Sequence, residues 1–132
     1  MNYLVNIIGA QPLTLHFSLH NPEQAGGATL VPRMLEPLGA FVSVVVRGSE
    51  GNEVCRTHPP KFTPKLKPSL ASSYMELEPG YSYGVVLVVE DCALAPGNYE
   101  VEVSYTNRDY RGPDGNAIGA LTHAKTLPLR VP

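Results

Sequence analysis

Cysteine is nearly absent from this chain. Only Cys55 and Cys92 occur in 132 residues, so the sequence contains no paired-cysteine zinc pattern. Joined, the two would close a loop that stabilises the fold by roughly 4 kcal/mol in the chain-entropy model. Two reduced thiols are equally ordinary in a chain of this size, and spacing does not choose between the alternatives. Charge is sparse as well. At 17% charged residues and a formal net charge of -2, the chain has no overall field for nucleic acid or an anionic membrane. No apolar run approaches the ~18 residues that would span a bilayer, so membrane insertion is not expected. No Lys or Arg precedes the first apolar stretch, and Asn6, Gly9, Gln11 and Pro12 interrupt it. It does not read as a signal peptide, and both a mature secreted protein and a cytoplasmic one fit that reading. The G-x-S-x-G elbow, H-E-x-x-H and the phosphate-binding G-x-x-x-x-G-K are missing too, and the expectation is a protein without enzymatic activity or cofactor.

What is present is period-two hydrophobicity. Leu13, Leu15, Phe17 and Leu19 alternate with Thr14, His16, Ser18 and His20, and Tyr99, Val101, Val103 and Tyr105 alternate with Glu100, Glu102 and Ser104. Successive strand side chains point to opposite faces, so both runs predict strands with one wet face. FVSVVVR (41–47) and SYGVVLVVE (82–90) are almost continuously β-branched, as expected of central strands. Residues 3–8, 53–56, 73–77 and 126–131 are shorter candidates; Pro128 sends the last to a sheet edge or a bulge. Thirteen Pro and twelve Gly are scattered between these runs, which favours short strands and turns. RGSEGNEV (47–54) reads as a hairpin turn. The nearest approach to a helix, VPRMLEPL (31–38), is limited by Pro32 and Pro37 to about a turn. Together these features predict one all-β domain over residues 1–132, an immunoglobulin-like antiparallel β-sandwich of seven to eight strands.

Three connections are long: 21–40, 57–72 and 106–124. Loops of that length are uncommon in compact domains unless they are functional or disordered. In the 106–124 connection, Tyr110 and Arg111 are residue types favoured at interface hot spots, and with Asp114 they form the first candidate partner-binding set. Asn107, Asp109, Asp114 and Asn116 offer oxygen ligands of the kind calcium takes, but the D-x-[DN]-x-[DN]-G spacing is absent and Gly112-Pro113-Asp114-Gly115 already accounts for a tight turn. In the 57–72 connection Lys61 and Lys65 form a second candidate patch; aromatics do not interleave with its lysines beyond Phe62, which argues against nucleic acid. His16 and His20 share a face but stand ~13 Å apart along a strand, too far for one metal.

The stretch LAPGNYEVEVSY (94–105) resembles the E–F corner and F strand of immunoglobulin-like domains, with Tyr99 as the residue of a tyrosine corner. The position two residues after that tyrosine is Val101, strand 13–20 has no cysteine and the chain has no tryptophan. The antibody-type disulfide and tryptophan core are therefore excluded. The order of F-x-V-x-V with a G-x-x-G hairpin (41–54), L-x-P-G before a Val-rich strand (77–89), and L-x-P-G-x-Y-x-V (94–101) is also similar to the non-catalytic sandwich domain of deuterolysin-type lysine-specific metalloendopeptidases and to small proteinase-inhibitor sandwiches. That resemblance implies a binding, pro-domain-like or inhibitory role and carries no catalytic residue with it. The expected function is thus a module that recognises a protein through its long loops. The alternatives are a protease inhibitor and an assembly module pairing through the edge strand that carries Pro128.

Overall fold

The computed structural model describes residues 2–59, 71–107 and 124–132. Among these, nine strands occur: β1 (Asn2–Ala10), β2 (Leu13–His20), β3 (Thr29–Pro32), β4 (Val42–Gly48), β5 (Glu53–Arg56), β6 (Tyr74–Leu77), β7 (Ser82–Val89), β8 (Gly97–Tyr105) and β9 (Lys125–Val131). A single 3-10 turn, Ala71–Ser73, leads into β6. Every pairing is antiparallel. The strands form a three-stranded sheet β1-β2-β7, a two-stranded sheet β3-β6 and a four-stranded sheet β5-β4-β8-β9.

Alternation dictates which side chains enter the core. Leu13, Leu15, Phe17 and Leu19 of β2 are all 0% exposed, and each such burial contributes about 1.5–3 kcal/mol. Val42, Val44 and Val46 of β4 and Val101, Val103 and Tyr105 of β8 are buried in the same cluster. Aromatic rings join the sheets: Tyr3 of β1 stacks on Phe17 at 5.5 Å between centroids, and Phe17 lies 6.1 Å from Tyr105 of β8. The Tyr3 hydroxyl donates to the Val103 carbonyl at 3.2 Å. Lys125 donates to the Tyr3 carbonyl and sets its ammonium 4.7 Å from the centre of the same ring, a cation–π arrangement.

The β4–β5 hairpin turns at Gly51, whose φ of +84° suits glycine. Among the described residues the Pro128 strand, β9, pairs only with β8 and ends its sheet, which suits a residue without an amide donor. Three expectations are corrected. Nine strands replace seven to eight, because Thr29–Pro32 pairs with β6 inside what reads as a long connection. Residues 31–38 hold no helical turn, since their first two belong to β3. Most consequentially, the Val-rich β7 is not central: among the described residues it pairs with β2 alone and ends its sheet.

Cys55 and Cys92 are joined, with their Cα atoms 5.9 Å apart. The bond ties β5, at one end of the four-stranded sheet, to the chain leaving β7. It does not connect β2 with β8, which is where an antibody-type bridge would run.

Candidate functional site: a groove beside an open strand edge

Among the described residues, β7 has a strand partner on one side only, β2. Backbone groups of a strand alternate in direction, so an edge strand turns half of them away from its partner. The amide of Asn21 donates to the carbonyl of Tyr81 at 3.0 Å, and the amide of Leu13 points the same way, to Cys92. The register His20↔Ser82 through Leu13↔Val89 carries that parity along the whole strand. Odd-numbered residues of β7 therefore bond β2. The N–H and C=O groups of Ser82, Gly84, Val86 and Val88 face outward.

A groove of about 530 Å³ lies along the second half of this edge. One wall is residues 36–38, another is residues 56–58, and the strand supplies Val86 to Asp91. The walls are held by backbone geometry. Gly39 has φ +93°, and a Cβ placed there would sit 1.9 Å from the carbonyl oxygen of His58. Only glycine lets the two segments approach so closely. Tyr83 donates to the Arg33 carbonyl at 2.8 Å, fastening the 33–38 segment to β7. Burial raises the Tyr83 phenol above its ordinary value, and the negative charge of Glu36 raises it further. The Cys55–Cys92 bond clamps the groove from below in sequence terms, since Arg56 follows one cysteine and Asp91 precedes the other.

The charge of the groove is lopsided. Glu36, Glu90 and Asp91 line it against Arg56 and His58, and Arg56 is already engaged with Glu53 at 2.6 Å. The adjoining solvent face of the three-stranded sheet carries large apolar side chains on its two outer strands, with Asn6 of β1 and Thr14, His16 and Ser18 of β2 between them. Leu4, Ile8, Val86 and Val88 are 57%, 58%, 50% and 42% exposed. His16 lies between Asn6 and Val86 in the register; a Cβ on Gly84 would meet its Nε2 at 3.1 Å. His20 Nδ1 lies 2.8 Å from the Ser82 hydroxyl, and among the described residues no carboxylate bonds that histidine. A second hollow, about 640 Å³, is lined by the β4–β5 hairpin, the start of β8 and residues 128–130.

The residues singled out from the sequence fare differently. Tyr110, Arg111, Asp114, Lys61 and Lys65 lie outside the described residues, as do the calcium candidates Asp109 and Asn116. Asn107 is described: it is buried, and its Oδ1 accepts from the Tyr74 hydroxyl at 3.1 Å. His16 and His20 share the outer face of β2, as the alternation predicts. Nothing local in the sequence signals the edge position of β7, because a Val-rich run reads the same in the middle of a sheet.

No protein-family model matches the chain, and no curated protein matches it. The likeness drawn from its L-x-P-G turns rests on those residues alone.

Proposed function

We propose that this chain is a non-enzymatic recognition domain of the immunoglobulin-like β-sandwich type, which binds a protein through the solvent face of its three-stranded sheet. The sandwich reading is supported by the strand orders β1-β2-β7 and β5-β4-β8-β9 with aromatic rings in contact across them. It is supported again at Tyr99, whose hydroxyl donates to the Ala95 carbonyl at 2.7 Å, the bond of a tyrosine corner. The observation that carries the functional reading is the group of four large apolar side chains, Leu4, Ile8, Val86 and Val88, exposed on one face. Val86 and Val88 are neighbours on the outer face of β7, and Leu4 and Ile8 lie on the same sheet face across Ser18, His16 and Thr14 of β2. Apolar side chains gathered on one face of a small domain mark an interaction site.

The test is site-directed photo-crosslinking. A photoreactive residue at Val88, in extract from the native host, is expected to give a discrete protein adduct that the double variant Leu4→Lys, Ile8→Lys loses. The same probe at Glu50, on the hairpin turn, is the control. Adducts that are identical at both positions, or indifferent to the double variant, would sink the assignment to this face. Loss of the adduct only on Tyr110→Ala with Arg111→Ala would move recognition to the loop set that also includes Asp114, Lys61 and Lys65.

A further inference from the structure

We propose, resting on the protein-recognition reading above, that the open edge of β7 takes up an extended segment of the partner as a fourth strand. The segment is apolar at alternate positions and basic at one end. Sheet ends are normally protected by prolines, charges, bulges or shortness, and among the described residues the other ends of the larger sheets are. β9 carries Pro128, Lys125 and Arg130; β1 contains a register shift between Ile7 and Gly9; β5 is four residues long and charged at Glu53 and Arg56. β7, SYGVVLVV, has no proline and no charge, and its pairing with β2 runs from Ser82 to Val89 without a bulge. It presents the outward N–H and C=O groups of Gly84, Val86 and Val88 beside a groove, and main-chain bonds to such an edge give affinity independent of side-chain sequence.

Charge complementarity names the occupant. The groove's acidic residues, Glu90 and Asp91 on the strand side and Glu36 opposite, are concentrated beyond the C-terminal end of β7. Among the described residues that line the groove, their one fixed cationic neighbour, Arg56, is engaged by Glu53. An incoming strand running antiparallel, like every other pair in the fold, brings its N-terminal end to those acids. Lys or Arg belongs there, followed by β-branched residues beside Val86 and Val88.

The probe is a fluorescein-labelled peptide, Lys-Lys-Val-Thr-Val-Thr-Val-Ser, titrated by fluorescence anisotropy with hydrogen exchange read by NMR. Saturable binding is expected, with slowed exchange at the amides of Gly84, Val86 and Val88. N-methylation of two alternate peptide residues should cost about tenfold in affinity in one parity and little in the other, since about 1.4 kcal/mol corresponds to two modest hydrogen bonds. The exposed charge swap Glu90→Lys with Asp91→Lys should reverse the preference in favour of a Glu-Glu probe. Absence of binding at millimolar peptide overturns the proposal. So does binding that ignores methylation parity, which would indicate side-chain docking and leave the recognition role standing. Protection of the same amides without peptide, together with a dimer by light scattering, overturns it in favour of a second copy of this chain.

Discussion

Tyr105 is the residue whose surroundings are least expected from its chemistry. Its side chain is fully buried between Phe17 and the β4 valines' sheet, and its hydroxyl has no hydrogen-bond partner among the described residues. An unsatisfied buried hydroxyl costs about 1–3 kcal/mol. Tyr105→Phe is therefore expected to leave stability unchanged or raise it by up to that amount, measured by urea denaturation. The same site governs the alkaline limb. Burial raises the Tyr105 phenol far above 10.0, with a smaller contribution from Tyr74, and burial also raises Tyr3 and Tyr83. Below about pH 10 both folded and unfolded states hold these protons, so the phenols leave stability untouched there. Above it the unfolded chain releases them first, and stability falls by up to about 1.4 kcal/mol per pH unit per group until the folded value is passed. Unfolding midpoints between pH 9 and about pH 12 should decline, and Tyr105→Phe should flatten the decline. Tyr99 is the contrasting case. Its hydroxyl donates to the Ala95 carbonyl four residues upstream, and Tyr99→Phe should destabilise by about 1 kcal/mol through loss of that bond.

At the scale of elements, alternation located β2 and β8, because one buried face leaves a period-two trace, while β-branched or short apolar runs marked six more. β3 escaped it: four residues, ending in proline, take their order from pairing with β6 rather than from a pattern of their own. The placement of β7 escaped for a different reason. β-branched residues suit any pleated surface they can pack against, and exposure of Val86 and Val88 follows from their place on the outer face of the three-stranded sheet. The walls of its groove depend on Gly39. Gly39→Ala meets both a positive φ and the His58 carbonyl, and should cost at least about 1–3 kcal/mol in strain. Hydrogen exchange should then quicken at residues 36–40 and 56–58 before β2 is affected.

For the whole molecule, the decisive covalent feature is the Cys55–Cys92 bond, which spans 37 residues of sequence. Loop-closure entropy puts its contribution at roughly 4 kcal/mol, within a usual range of about 2–5. Cys55→Ala with Cys92→Ala should lower stability by that amount in denaturant titration, and a loss under about 1 kcal/mol would show that the ordered β5 and β7 ends need no tether. Because residues on either side of the bond line the groove, reduction should also loosen that site ahead of global unfolding.

Sequence by itself determined the strand character of eight segments, the inward faces of β2 and β8, and the edge or bulge that Pro128 demands in β9. Each of these is local: alternation, β-branched composition, or a proline without an amide donor. The pairing of the two cysteines, the existence of β3 and the place of β7 at the end of its sheet among the described residues were decided only by tertiary structure. They depend on which segments, distant in the chain, come to lie side by side, and a strand carries no local record of its neighbours.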